Sequence, residues 1–302
     1  MSSGATEASG EPASEPLLVV VGPTATGKTA LAVRLAEERG GEIISADSVQ
    51  IYRHFELGTG KPSAEERARA RHHLIDEIEP DSAVDAARWA ELAAERIGEV
   101  RARGREPIVC GGSFLWVRAL LYGLAEAPPA DANVRARHRE LAERSGRAAL
   151  HAELARLDPE SAARLAPNDF VRVSRALEVH ELTGVPLSRF QAAHGFRSLR
   201  YPVKLLGVAR ARDELDLLIA ARVRAMLDAG WVEEVRALLA AGYETARPMG
   251  AVGYKQIAEG LRRGTLPADG ELFDSIRRAT RVFARRQRTW LRDQPVEWLP
   301  PA

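Results

Sequence analysis

Five consecutive strand formers, Leu17-Leu18-Val19-Val20-Val21, open the periodic part of the chain. An unbroken apolar run of this kind suits a strand buried on both faces, as in a parallel sheet. A helical pattern follows to about Arg39 and is stopped by Gly40-Gly41. Glu42-Ile43-Ile44-Ser45-Ala46 predicts a second strand that ends at Asp47. Residues 85–103 carry Ala86, Trp89, Ala90, Ala93, Ile97 and Val100 at helical spacing, closed by Gly104. Pro107-Ile108-Val109-Cys110 predicts a third buried strand, ending in Gly111-Gly112. Strands alternating with helices predict a parallel sheet covered on both faces.

From about Leu124 the texture changes. Ala127-Pro128-Pro129-Ala130 reads as a linker and Asp131 as a helix N-cap. Residues 132–183 then read as helix after helix, punctuated by Gly146, Pro159 and Pro167-Asn168, with Gly184 closing the last. Tyr201–Ala209 returns to strand, and the remainder is mostly helical to Trp298. The expected fold is α/β: a phosphate-loop NTPase-like parallel sheet core, residues 17–122 and 200–302, interrupted by an all-helical insertion domain, residues 123–199. Residues 1–16 are small, polar and acidic, and are expected to be a disordered tail; they lack the basic start and apolar segment of a signal peptide.

Composition narrows the setting more than the function. The 302 residues are 45% hydrophobic and 28% charged, enough for a sizeable core. Cys110 is the single cysteine, which excludes an intrachain disulfide and a cysteine-based zinc site and fits a reducing cytoplasm. No apolar stretch approaches the roughly 18 residues of a membrane helix. Net charge is +1, so any nucleic-acid site must be a local patch. One exists near the C-terminus, where Arg277, Arg278, Arg281, Arg285, Arg286, Arg288 and Arg292 share one helical stretch. Ile276, Ala279, Phe283 and Trp290 are the expected core-facing side of that helix. The histidines, including the His72-His73 pair, show no metal-ligand spacing and read as hydrogen-bonding core or surface groups.

The chemistry begins at residues 22–29, GPTATGKT, a complete G-x-x-x-x-G-K-T loop between a strand and a helix. Gly22 and Gly27 let backbone N–H groups approach phosphate oxygens, Lys28 adds a point charge, and Thr29 offers a hydroxyl to Mg²⁺. The loop alone leaves kinases, NTPases and group transferases open. A nucleotide hydrolase ordinarily places an acid at the end of a neighbouring strand to hold the metal. Here the strand 107–110 ends in Gly111-Gly112-Ser113 with no acid, and the acid stands instead at Asp47. Asp47 reads equally as a turn or cap residue and as a group lining the ligand crevice.

The loop is one of several motifs in a fixed order: SADSVQIYR (45–53), GTGKP (58–62), HHLID (72–76), GGS (111–113), NDFVRVSRALEV (168–179), GAVGYKQ (250–256) and RRQRTWLR (285–292). Together they resemble the tRNA dimethylallyltransferase family, from about Leu17 to Trp298. The resemblance implies transfer of a dimethylallyl group from dimethylallyl diphosphate to the exocyclic N6 amine of the adenosine 3′ of the anticodon. It implies a diphosphate cradle of Gly22, Pro23, Thr24, Ala25, Thr26, Gly27, Lys28 and Thr29, with Mg²⁺ on Thr29. Asp47 would be the general base, with Thr24 and Arg222 as further catalytic groups and Arg224 as the alternative cation. The tRNA would be touched by Asp47, Ser48, Val49, Gln50, Ser113, Arg135, Val171, Arg172, Val173, Ser174 and Arg175. The implied partners are the tRNA anticodon arm and dimethylallyl diphosphate, met by a cytoplasmic monomer away from any membrane.

Two positions depart from the family pattern: Leu218, where some relatives carry arginine, and Ser113, where threonine is frequent. Arg172 and Arg175 share a helical face that suits RNA phosphates or a salt-bridged surface with Glu178. Three rival functions stay open on the residues alone: a small-molecule kinase using the loop for ATP, prenyl transfer to a free adenine nucleotide, and an RNA-binding module with an idle phosphate loop.

Overall fold

Leu17–Val21 (β1) is buried at every position, which requires cover on both faces. The computed structural model describes residues 15–301, so the predicted tail lies outside them apart from Glu15 and Pro16, both exposed. In chain order β1 is followed by α1 (Lys28–Arg39), β2 (Gly41–Ser45), α2 (Ala64–Arg69), β3 (His72–His73), α3 (Ala86–Ala102), β4 (Glu106–Gly111) and α4 (Phe114–Tyr122). Five helices come next: α5 (Ala132–Ser145), α6 (Arg147–Leu157), α7 (Pro159–Arg164), α8 (Phe170–Thr183) and α9 (Leu187–His194). The chain then forms β5 (Val203–Val208), α10 (Arg212–Asp228), α11 (Trp231–Ala240), α12 (Tyr254–Arg262), α13 (Asp269–Leu291) and β6 (Val296–Leu299).

The strands make one six-stranded sheet in the order β3-β2-β4-β1-β5-β6, with every pairing parallel. This is the α/β, phosphate-loop-type architecture expected from the alternation of strands and helices. From β1 the chain moves outward to β2 and β3, returns to β4 beside β1, and then crosses to β5 and β6 on the other side. The reversal sits at the carboxyl end of β1, the position where doubly wound sheets open a ligand crevice. Leu18 and Val20 of β1 pack with Leu31 and Val33 of α1, Ile43 of β2 and Ile108 of β4.

β3 has no counterpart among the predicted strands, because two residues carry no periodic signal. Its register is set by pairing with Ile43 and Ile44. His73 sits 2.6 Å from a Glu42 carboxylate oxygen, and Arg103 forks onto the same carboxylate. The Arg103 hydrogen bonds, against the opposing effect of burial, hold Glu42 down to about 2. The C-terminal helix also differs from expectation. Its buried face is Leu272, Ile276, Ala284, Gln287 and Leu291. Phe283 is exposed rather than core-facing, because the helical phase running through Ile276 and Ala284 puts Gln287 inside instead.

The chain divides into two compact units, one running to Leu121 and resuming at Arg200, the other Tyr122–Leu199. The described residues of the second unit are helices α5 to α9 and their turns, around a core of Leu150, Leu154, Val173, Ala176 and Leu177. Glu178 is fully buried there. It accepts from both arms of Arg135 at 2.9 Å, from Arg175 at 2.6 Å and from the Asp131 N–H at 2.7 Å. Burial alone would raise its carboxyl, but these donors override it and hold the group below the ordinary glutamate range. Among the described residues no helix is long and apolar enough to cross a membrane.

One glycine fixes how β2 and β4 end together. A Cβ on Gly111 would overlap the Ala46 carbonyl, and that carbonyl also accepts the Ser113 N–H at 3.1 Å. Backbone has no rotamer with which to yield. Gly111→Ala is expected to lower unfolding free energy by about 1–3 kcal/mol through overpacking, read as a lower urea midpoint at unchanged slope.

Candidate active site

Because β1, β4 and β2 are neighbours, their carboxyl ends bring three segments to one edge: the phosphate loop, Gly111-Gly112-Ser113, and Asp47. A cavity of about 490 Å³ opens between them. Thr24, Ala25, Gly27, Lys28 and Thr29 line it, with Asp47 and Gln50 on one side and Arg222 of α10 on another. The loop holds its own shape. Thr26 Oγ1 donates to the Pro23 carbonyl at 3.0 Å, and Lys28 Nζ donates to the same oxygen at 2.7 Å. Gly27 has φ 93°, a conformation that favours glycine. Ala25 adopts φ 65°, so local strain is stored at the cavity wall.

The electrostatics favour an anion. Burial, with Arg222 adding to it, pulls Lys28 down to about 8 against the opposing pull of Cys110 and Asp47. Burial likewise lowers the Arg222 guanidinium, with Asp47 and Glu66 opposing. Arg222 lies against Gly60, where any Cβ would overlap the guanidinium, and among the described residues it makes no close ion pair or hydrogen bond. Arg224, the alternative cation, does not line the cavity; it forks onto Asp269 at 2.6 and 2.8 Å. Cys110, placed in a strand expected to be buried, is only partly buried and lines the cavity. Its thiol is pushed up to about 12, burial outweighing the effect of Lys28.

Asp47 divides its two oxygens between two tasks. Oδ1 accepts the Val49 N–H at 2.9 Å and the Gln50 N–H at 3.2 Å, the turn role. Oδ2 has no hydrogen-bond partner among the described residues and belongs to a side chain that lines the cavity. Ser113 Oγ accepts the Ser48 N–H at 2.9 Å, which ties the segment after β4 to the turn beside Asp47. Gln50 is committed: Nε2 donates to the Gly60 carbonyl at 2.9 Å and to the Thr59 carbonyl at 3.3 Å. The Thr29 hydroxyl carries no hydrogen bond among the described residues. This uncommitted hydroxyl is a hard oxygen donor that suits Mg²⁺. No cluster of three His, Cys, Asp or Glu side chains surrounds the cavity among the described residues, so water and substrate phosphates would complete its shell.

Comparison with known proteins identifies the family. The profile of the IPP transferase family matches residues 50–294. The chain belongs to the IPP transferase family. This family member is 62% identical over 288 residues to a tRNA dimethylallyltransferase of Sorangium cellulosum, covering 95% of this chain and 91% of that one. It is 48% identical to a tRNA dimethylallyltransferase of Myxococcus xanthus, covering 94% and 92%. The crystal structure of the full-length tRNA isopentenylpyrophosphate transferase of Bacillus halodurans superposes with a TM-score of 0.69 at 35% identity, covering 95% and 90%. A eukaryotic dimethylallyltransferase solved acting on tRNA gives a TM-score of 0.77 at 23% identity, covering 96% of this chain and 74% of that one, and supports the fold alone.

The helical unit of this IPP transferase family member sorts the residues singled out for tRNA contact. Val171 is 75% exposed, and Arg172 is exposed with only a loose pairing to Asp169 at 3.6 Å. Val173 and Ser174 are a correction: both are buried, Val173 in the core and Ser174 Oγ against His138 Nδ1 at 3.0 Å, so neither side chain reaches a macromolecular surface. A run of five residues on a helix cannot all face one way. Arg135 and Arg175 are both spent on Glu178, and Arg175 also donates to the Pro128 carbonyl at 2.5 Å.

Arg210, Trp231 and Glu234 lie outside every motif read from the sequence. Arg210, at the carboxyl end of β5, reaches the Thr26 carbonyl at 3.4 Å and pairs with Glu214. It lines a second hollow of about 970 Å³ that shares the phosphate loop as a wall through Pro23 and Thr26. Arg212, Arg278, Arg281, Arg285, Arg288 and Arg292 line the same hollow. Across the first cavity, a polar strut on α11 and α12 holds the loop beside Arg222. Glu234 accepts the Glu56 N–H at 3.1 Å and the Leu57 N–H at 2.7 Å. Tyr254 donates to Glu234 at 2.5 Å and accepts the Gly58 N–H at 3.1 Å. The Trp231 ring fills the space where Cβ atoms on Gly58 and Gly253 would stand.

Lys28 gives the cavity a pH signature. Its folded value lies below the ordinary lysine value, so the proton leaves as pH rises through about 8. Affinity for inorganic diphosphate, measured by calorimetry, is expected to fall about tenfold between roughly pH 7 and pH 9 as that charge is lost. A flat profile would mean that Lys28 does not face the anion.

Proposed function

We propose that the chain transfers a dimethylallyl group from dimethylallyl diphosphate to the N6 amine of the adenosine 3′-adjacent to the anticodon of tRNA, releasing diphosphate. The observation that carries this reading is the pairing, across one cavity, of a complete phosphate loop with a carboxylate that keeps an oxygen free. Family membership supports it. The absence of an acid at the end of β4 argues against nucleotide hydrolysis.

The loop residues 22–29 bind the diphosphate, with Lys28 and Arg222 supplying charge that the protein itself leaves largely unpaired. Thr24 offers its hydroxyl to the departing oxygen. Thr29, with the substrate's own phosphates, would hold Mg²⁺, which when bound would neutralise charge on the leaving group. The adenine must leave its stack to reach the cavity. Its N6 lone pair then forms the new bond to the allylic carbon as the carbon–oxygen bond breaks and the electron pair departs on diphosphate. Asp47 Oδ2 accepts the proton from N6, while Oδ1 stays anchored in the turn. The helical unit contributes tRNA contacts through exposed Val171 and Arg172, and the arginines of α13 add phosphate contacts. The setting we propose is cytoplasmic and the acting species a monomer.

The test mixes the protein, Mg²⁺, radiolabelled dimethylallyl diphosphate and unmodified tRNA, with ATP, AMP and bulk RNA in parallel. Label appearing in tRNA alone is the expected result; label in AMP, or phosphoryl transfer from ATP, overturns it. Asp47→Asn keeps a turn acceptor and removes the base, so kcat is expected to fall about a thousandfold with tRNA affinity changed no more than a few fold. Arg172→Ala is expected to weaken tRNA binding, leave diphosphate binding unchanged, and reduce the log–log salt slope by about 0.9; filter binding across a salt series measures it.

A further inference from the structure

The phosphate loop does not rest on its own hydrogen bonds alone. Gln287 of α13 is 5% exposed. Its Oε1 accepts the Thr24 N–H at 2.8 Å, and its Nε2 donates to the Gly112 carbonyl at 3.0 Å. Gly112 leaves the room for it, since a Cβ there would overlap Nε2. One turn on, Trp290 stacks on Phe114 with ring centroids 4.4 Å apart and planes 4° apart, seating α13 over the same segment. Backbone N–H groups in such a loop usually aim at phosphate. The Thr24 N–H is turned to Gln287 instead, so what Thr24 presents to the cavity is its hydroxyl, which has no hydrogen bond among the described residues. The other end of the clamp continues to the base: Gly112 leads to Ser113, whose hydroxyl receives the N–H of Ser48, the residue after Asp47.

From this geometry we infer that Gln287 is a positioning residue for the transfer reaction, one side-chain amide fixing the Thr24 hydroxyl and the Asp47 carboxylate in register. The inference rests on the function proposed above. It acts through geometry: Gln287 moves no proton, and its effect falls on kcat, because a displacement of about 1 Å between reacting groups costs roughly a hundredfold in rate.

Two variants of the full chain test it. Gln287→Leu keeps volume and removes both hydrogen bonds; Gln287→Glu keeps the acceptor for Thr24 and loses the donor to Gly112. Steady-state kinetics with dimethylallyl diphosphate and tRNA are read beside hydrogen–deuterium exchange of the peptide spanning residues 21–29. For Gln287→Leu, kcat is expected to fall about a hundredfold, tRNA KM to stay within a few fold, and loop exchange to quicken about tenfold or more. For Gln287→Glu, slow loop exchange and part of kcat should return, while the added negative charge raises KM for the diphosphate. A Leu variant with near-normal kcat, or with unchanged loop exchange, overturns the inference. So do equal losses in both variants accompanied by a collapsed melting temperature, which would make Gln287 a packing residue only. A wild-type protein inert toward tRNA, whose loop still loosens on Gln287→Leu, sinks the proposed function and leaves the clamp standing.

Discussion

Two cations that the protein does not neutralise dominate the cavity. Lys28 has a carbonyl for company and Arg222 a glycine, and burial lowers the proton affinity of both. Desolvated charge of one sign is costly, and the cost is recovered when an anion arrives. The fold brings this charge about by topology: β1 must deliver its loop at the switch point, and α10 must lie across the same edge. The Asp47 carboxylate opposes the loss of charge at both cations but does not outweigh burial. The site is thereby polarised, cationic over the loop and anionic at the β2 end, which suits a reaction that separates a leaving anion from an incoming amine.

The surrounding polar contacts are easier to understand as a frame for that separation than one by one. Glu234 and Tyr254 hold residues 56–58, Gly60 gives Arg222 its seat, and Gln50 ties Thr59 and Gly60 back to Ser45 beside Asp47. Lys61 continues the frame to Asp76 and the Tyr52 carbonyl. Burial, and after it the Glu234 carboxylate, raises the Tyr254 phenol well above its usual range, so it stays a donor at any working pH.

Much of this was legible in the sequence wherever a local rule operates. A run such as Leu17–Val21 can be buried only as a two-sided strand, and GPTATGKT dictates its own backbone. The rest depends on partners far away in sequence. His72-His73 is a strand only because Ile43 and Ile44 lie beside it. Glutamine in RRQRTWLR looks like one more polar residue of a basic helix until Thr24, 263 positions away, supplies its N–H. The contiguous block Val171–Arg175 misleads for another reason: helical phase turns Val173 and Ser174 inward while Val171 and Arg172 stay out. Arg135 and Arg175 could be ranked only once the burial of Glu178 was known.

The arginine-lined hollow behind the phosphate loop carries a consequence of its own. Arg281 finds Asp216, Arg210 finds Glu214 and Arg292 pairs with Asp293 at 3.5 Å, while Arg285 and Arg288 have no ion pair among the described residues. α10 and α13 are themselves joined by opposite charges, Arg281 to Asp216 at 2.7 Å and Arg224 to Asp269 at 2.6 Å. Added salt screens those pairs and also loosens the hold on a nucleic acid by diminishing counterion release.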